Sequence, residues 1–464
     1  MQNRRLKTFL LTSAASAALF LSGAAAAAVS ADILVVGSGG AGMAAAIEAS
    51  EASNGKAKVV ILEKLPFVGG TTLLASTAFN AGGSKLQPGY SAKDYEKKLL
   101  AGFPKADAHD RANIAQLAEL SGPTADWLIA MGADMSRIIN NSQMTPKDGS
   151  AYGAMIVPVL KKRVDALEIP VMTNTKVESL VTDKAGRVTG VRATTKDGEE
   201  TIAAKAVILA TGGFASNPKL VERFSPQWAG YPSTASVGAT GDGILMAEKL
   251  GAKLDNMALT GPQTVAYDTG NGAVSLTNVR YNGAILVGKT GLRFTDELGN
   301  TAKIGADIKA QPDGVAFLIF DRTSVEHAAL MKKYESLGYF VKADTIEELA
   351  KKLGIESANL EKTIVRWHGF FDKKKDEDFG RTQSMFSRID TAPFYGQRIS
   401  PASQTTYGGV ERNAEGAALR ADGSVIPGLF VAGETADQYG QGVSLGIVTG
   451  RIAARGALES LEEK

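Results

Sequence analysis

Residues 32–63 constrain the chain more than any other stretch. Asp32 to Val36 (DILVV) is a short apolar run of the kind a buried parallel strand requires. Gly37-Ser38-Gly39-Gly40-Ala41-Gly42 follows, then an Ala-rich helical segment from Met43 to about Ser53. A second apolar run, Val59 to Leu62, ends at Glu63, 21 residues after Gly42. In such a unit Gly37 permits the tight turn, Gly39 lets backbone approach a pyrophosphate, and Gly42 lets helix and strand pack closely. The anion sits at the helix N-terminus, and an acid about 20 positions on accepts the ribose hydroxyls. A glycine turn without a ligand needs no acid at that spacing. The stretch therefore predicts an α/β dinucleotide-binding fold.

Composition narrows the chemistry. The 464 residues include 51 Gly, about 11% against a usual share of roughly 7%, clustered between apolar runs as tight turns against a ligand require. There is no Cys, which excludes disulfides, a thiolate nucleophile, Cys-ligated metal clusters and thioether-bound haem. Only His109, His327 and His368 are available as imidazole ligands, and all three fall in expected helices away from the glycine motifs, as packing or surface residues. No metal site is expected, and redox chemistry must run on an organic cofactor.

Residues 1–30 read as an export leader. Arg4, Arg5 and Lys7 precede a short apolar run, Phe9 to Leu21, and Ala24 to Ala28 offers small-residue cleavage sites near 26–30. The run is too short and too rich in Ala and Ser for a stable membrane span. The arginine pair fits a twin-arginine signal loosely, so the export route stays open. Without those three cations the 51 basic residues fall to 48 against 49 acidic ones, leaving no basic stripe for nucleic acid. The expected location is the periplasm.

Beyond Glu63 the motifs favour FAD. Glu63-Lys64 through Gly69-Gly70-Thr71-Thr72 to Asn80-Ala81-Gly82-Gly83 resembles the flavoprotein subunits of the fumarate reductase and succinate dehydrogenase family. So do Ala206 to Phe214 (AVILATGGF), Gly238 to Gly243 (GATGDG) and Ile426 to Glu434 (IPGLFVAGE). The resemblance covers 31–464 and runs nearest the soluble flavocytochrome-type fumarate reductases, without a haem domain. It implies an α/β architecture: a Rossmann-like FAD-binding domain at 31–256 and 405–464, with an α+β capping or clamp domain inserted at 257–404. Within the insertion, strands are expected at 283–288 and 315–320 and helices near 324–335, 345–353 and 357–374. The implied noncovalent FAD site comprises Gly37, Gly39, Gly40, Ala41, Gly42, Glu63, Lys64, Gly70, Thr71, Thr72, Ser76, Thr77, Val177, Ala210, Thr211, Gly212, Asp242, Gly433, Glu434, Ser444 and Leu445. Gly442 to Gly446 precedes an apolar helix expected at 447–457, whose N-terminal amides would stabilise the anionic reduced flavin.

The resemblance breaks where relatives hold fumarate. Carried over position by position, the first clamp histidine falls at Pro262 or Gln263, and the relay glutamate at Thr277. The relay arginine survives as Arg280. The proton-donor arginine falls at or near Thr301, the second clamp histidine at Thr405 and the last clamp arginine at Ser444. A buried dianion needs charge-assisted donors, and losing them costs several kcal/mol per unpaired charge. The expected activity is therefore an FAD-dependent reductase acting on another small organic acceptor (an alkene, enone or sulfoxide; neutral, singly charged or zwitterionic), as in anaerobic respiration. A separate cytochrome or flavoprotein would supply electrons. The alternative is a dehydrogenase or oxidase of an amine, hydroxy acid or ketosteroid-like molecule. Proton-donor candidates are Tyr407, Tyr281, Tyr439 and Asp437, with Arg280 as supporting charge.

Overall fold

A computed structural model describes residues 30–462 apart from 149, 271 and 441. Apart from Ser30, the expected leader lies outside the described residues. Strand β1 (Ser30–Val36) leads through the glycine turn into helix α1 (Gly40–Ala52), and β2 (Val59–Leu62) follows. Strand β3 (Gly198–Leu209) lies on the other side of β1, and all three run parallel. Alternate residues of β1 serve opposite cores. Ile33 and Val35 pack with Met43 and Ile47 of α1, whereas Leu34 and Val36 pack with Val191 and Met246. Burial on both faces is why this strand reads as an unbroken apolar run.

The chain passes to a second, antiparallel sheet at 255–260 and returns at 406–409. Its main strands are β4 (Thr260–Asp268), β5 (Ala316–Asp321) and β6 (Phe394–Thr406). Strand β6 pairs with β5 through its first half and with β4 through its second, Gly261 lying opposite Thr405. Period-two burial recurs here: Phe317 and Ile319 face Trp367 and Leu349, while Leu318 and Phe320 face Ile304 and Met331. The expected strands appear as Ile285–Val287 and Ala316–Asp321, and the last two helices as Ile346–Leu353 and Ser357–Lys373. The helix expected at 324–335 is instead two, Arg322–His327 and Ala329–Ser336, because Ala328 is extended at φ −140°. The chain returns to the first sheet through β7 (Val425–Val431), parallel to the end of β3, and ends in helix Gly442–Glu462. That helix starts five residues earlier than expected, so Gly442 to Gly446 forms its first turn. It packs tightly on α1: a Cβ at Gly450 would lie 2.2 Å from the Ala41 carbonyl oxygen.

A buried charge cluster ties the second sheet to its helices. Glu297, with no exposed side-chain surface, accepts from Arg293 Nε and Nη2 at 2.8 Å each and from Arg381 Nη1 at 3.3 Å. Arg293 also reaches Asp376 at 2.7 Å, and both guanidinium groups sit 5.1 Å from the Trp367 ring. Removing one partner leaves buried charge uncompensated, at a cost of about 3–5 kcal/mol. Glu297→Gln is expected to lower stability to urea by that amount. An unchanged midpoint would show that the cluster is not integral to the fold.

Candidate active site

The carboxyl ends of β1, β2, β3 and β7 open on one cleft, where α/β sheets of this topology bind ligands. Two contacts shape its entrance turn. Gly37 has φ +104°, and a Cβ at Gly42 would come 1.9 Å from the Gly37 oxygen. Gly39 is different, since a Cβ there would meet nothing closer than 3.9 Å, leaving room for a ligand group. Helix α1 has no side-chain cap from Gly39 and no acid in its first turn, so its positive end is left for an anion. Beside it, Thr72 Oγ1 accepts from the Gly40 N–H at 2.9 Å.

Glu63 closes β2. Its carboxylate accepts from the Ser38 N–H at 2.9 Å, the Ser38 hydroxyl at 2.6 Å and the Leu65 N–H at 2.8 Å. A carboxylate has about four acceptor sites, so one remains for a ribose hydroxyl. At the other end, Glu434 is partly buried in the cleft wall with one long bond, from the Thr406 N–H at 3.4 Å, and desolvation pushes its pKa up to about 8. Gln438 Oε1, also on the cleft wall, is buried without a partner. Buried polar atoms left this way call for donors from a bound molecule. The spacing of anion site, ribose acceptor and hydroxyl-seeking Glu434 fits FAD.

Most residues expected at the cofactor come together here. Gly37, Gly39, Gly40, Ala41, Glu63, Lys64, Gly70, Thr71, Thr72, Val177, Ala210, Thr211, Gly212, Asp242, Gly433 and Glu434 line the cleft. Lys64 bridges Thr240 at 2.6 Å and Asp242 at 2.7 Å. Five others do not line it. Gly42 is packed under the turn, Ser76 and Thr77 are exposed, and Leu445 is buried beside Tyr95 and Tyr439. Ser444 turns its hydroxyl to the Asn80 N–H at 2.6 Å. Gln438, Ser236 and Thr175 also line the cleft and carry no sequence motif that would have found them.

A second cavity of about 440 Å³ adjoins the first. Residues 438–440 divide them: Gln438 faces the cleft, while Tyr439 and Gly440 line the cavity with Asn80, Tyr95, Lys98, Phe103, Thr260 and Tyr407. Phe103 meets Tyr407 and Tyr439 edge-on, at 6.1 and 5.8 Å between ring centres. Behind this wall Asp437 accepts from Asn256 at 2.8 Å through one oxygen, and its other oxygen is buried without a partner. Burial raises the Asp437 pKa to about 7. Arg412 is fully buried, with Nε and Nη2 unpartnered. Burial lowers its pKa to about 10, opposed by the charges of Tyr439 and Asp437. Tyr439 is pushed well above its ordinary range by burial and by Asp437, so its hydroxyl holds its proton.

Tyr407 and Tyr439 thus stand at the cavity with Asp437 behind them, whereas Arg280 and Tyr281 line neither space. Arg280 is held in the core of the second sheet, its Nη1 donating to the Glu297 carbonyl at 2.7 Å, and Tyr281 is 45% exposed. The Arg280 guanidinium lies over the ring of Tyr281, 5.5 Å from its centre, so the tyrosine it accompanies here is Tyr281. Of the positions where the family resemblance leads one to expect charge, Thr277 donates to Gln263 at 2.5 Å, Thr405 lies opposite Gly261, and Thr301 is exposed. Among the described residues no group of acids and histidines could hold a metal ion, and no helix is long and apolar enough to cross a membrane.

A dinucleotide cleft of this shape with a proton-holding cavity against it defines a flavin-dependent oxidoreductase. Residues 32–446 match the family profile described as an FAD binding domain. The chain is 34% identical over 445 residues to the fumarate reductase (cytochrome) of Shewanella frigidimarina, covering 92% of this chain and 76% of that protein. It is 35% identical over 430 residues to the urocanate reductase of Eggerthella lenta, covering 87% and 70%. Of the NADH:fumarate oxidoreductase of Klebsiella pneumoniae (strain 342), 32% identical over 413 residues and 87% of this chain, it spans only 44%. The open conformation of a flavocytochrome c3 fumarate reductase superposes with a TM-score of 0.82 at 29% identity, over 93% of this chain and 78% of that one. The chain belongs to the FAD-binding flavoprotein family of the fumarate and urocanate reductases.

The carboxyl of Asp437 yields a pH signature. Its folded pKa lies above the ordinary value of 3.8, so folding takes up a proton between pH 3.8 and about 7. Stability from this group is full at the acid end and declines as pH rises through that window. Asp437→Asn is expected to flatten that decline in urea midpoints measured from pH 4 to 8. Parallel pH profiles for variant and parent would contradict it.

Proposed function

We propose that the chain is an FAD-dependent reductase of a small organic acceptor other than fumarate, an activated alkene being the type its relatives' names support. A separate cytochrome or flavoprotein supplies the electrons, FAD is held noncovalently, and the leader-like residues 4–28 favour action in the periplasm. The observation that carries the reading is the cavity beside the flavin cleft. Its described lining combines the rings of Tyr95, Phe103, Tyr407 and Tyr439 with neutral polar and aliphatic side chains and a single charged residue, Lys98, and the positions expected to hold a dicarboxylate are neutral in this chain: Pro262 or Gln263, Thr277, Thr405 and Ser444. FAD, when bound, supplies the hydride. The chain's own part is to orient the acceptor against the rings of Phe103, Tyr407 and Tyr439 and to deliver a proton to the carbon next to the one that receives the hydride. A tyrosine hydroxyl on the cavity wall does this, and Asp437, poised near neutrality behind Tyr439, restores the proton from solvent.

Reduced holoprotein mixed anaerobically with alkenes, enones, sulfoxides and fumarate tests the reading. Reoxidation by an alkene or enone, with fumarate far slower, is expected. Fumarate reacting as fast as the best acceptor would overturn it, since among the described residues no pair of cationic groups lines the cavity to clamp two carboxylates.

Tyr407→Phe separates acid from wall. As the proton donor, Tyr407 accounts for roughly 10²–10⁴ in rate, so the variant should keep its flavin and its reduction by an artificial donor while turnover falls by that factor. A maximal rate within a few-fold of the parent would pass the role to Tyr439.

A further inference from the structure

The cavity beside the flavin cleft contains a cation with no counter-charge. Helix Ala92–Gly102 lays Tyr95, Lys98, Leu99 and Gly102 along the cavity, the i, i+3, i+4, i+7 spacing of one helix face. On such a face an apolar residue is the ordinary occupant of position 98. Both acids of the helix are engaged elsewhere: Glu96 pairs with Lys93 at 2.9 Å, and Asp94 lies 3.8 Å from Lys97 and caps the helix with Ser91. Lys98 Nζ donates to the Ser142 hydroxyl at 2.5 Å, and no carboxylate among the described residues comes within ion-pair distance. An ammonium has three donors, so two are left over. The residue as a whole is exposed, and partial desolvation of the ammonium on the cavity side lowers its pKa. Such a group gains most from an anion that arrives with the ligand.

The rest of the wall sets the body of that ligand. The rings of Tyr95, Phe103, Tyr407 and Tyr439 line the same space, and about 440 Å³ lies within the range of pockets that enclose ring-sized molecules. A four-carbon diacid would leave most of it to water and one of its carboxylates unpaired. We infer that the cavity selects a monoanion, its single carboxylate on Lys98 and a flat aromatic body against Phe103, Tyr407 and Tyr439. This rests on the reading above that the acceptor enters this cavity, and makes Lys98 the residue that decides which acceptors bind.

Equilibrium titration of the oxidised holoprotein, followed by perturbation of flavin absorbance, tests it with four probes: 3-phenylprop-2-enoate, its neutral amide, acrylate and fumarate. The aryl acid should bind tighter than its amide by roughly tenfold to a hundredfold, the worth of one hydrogen bond to a charged group, and tighter than acrylate, which lacks the ring. Lys98→Met should bring the acid down to the affinity of the amide, leaving flavin content and amide affinity unchanged, while Lys98→Arg keeps most of the preference. Equal binding of acid and amide, or an acid preference that survives Lys98→Met, would overturn the inference. So would fumarate binding tightest of the four. Reoxidation assays keep the two readings apart. An aryl acid that binds through Lys98 but does not reoxidise the reduced protein supports the ligand class and sinks the reductase reading. Reoxidation by acceptors whose affinity ignores Lys98 does the reverse.

Discussion

The carbonyl of Gly37 packs so closely on the α-carbon of Gly42 that a methyl group there would stand 1.9 Å from the oxygen. Gly37 is itself wedged against the end of β3, where a Cβ would lie 2.3 Å from the Ala210 oxygen. These two contacts drop the start of α1 onto the carboxyl ends of the parallel strands, with its uncapped amides turned to the cleft. The consequences spread outward. Gly450 lets the last helix close on Ala41, and Glu48 of α1 holds that helix through Arg451 at 2.7 Å and Arg455 at 2.6 Å. The first turn of the last helix thereby reaches the cleft wall, where Gly442, Val443 and Gly446 meet Gly433 and Glu434.

The second sheet meets this frame through few strands, and that shapes the chemistry. Thr260 on the way out and Tyr407 on the way back are both cavity residues, so the cavity lies where the chain crosses between sheets. Its far wall comes from helix Ala92–Gly102 and from 439–440, which belong with the flavin frame. A cavity assembled from both parts excludes water most fully when they are pressed together, which is what electrostatic selection by a lone ammonium requires. Three positions that the family resemblance assigns to the acceptor are engaged elsewhere in the chain: Arg280 donates to the Glu297 carbonyl, and Thr277 donates to Gln263.

Much of the cofactor cleft is legible in the sequence because its signals are local. A glycine turn, an apolar run and an acid at fixed spacing specify their own geometry, and Gly37, Gly39, Glu63 and Glu434, singled out by such signals, line one cleft. The buried strand Ala316–Asp321 is legible for the same reason, being apolar on both faces. Strand β6 is not: FYGQRISPASQTT alternates poorly and contains Pro401, and its place is set by partners more than 50 residues away. The break at Ala328 likewise leaves no mark in composition, since alanine favours helix and only packing overrides it.

The sequence alone determined the flavin fold and, having no Cys, the absence of thiol chemistry. Those follow from residue identity and short spacing. Which groups face the acceptor was decided only in three dimensions. Arg280 is buried in the second sheet with its Nη1 on the Glu297 backbone carbonyl, while Lys98, one lysine in a charged helix, was left facing a cavity because its neighbours Asp94 and Glu96 bind other partners. Whether a charge acts on a ligand depends on which counter-charges reach it first, and those distances are set by packing between segments that the linear order keeps apart.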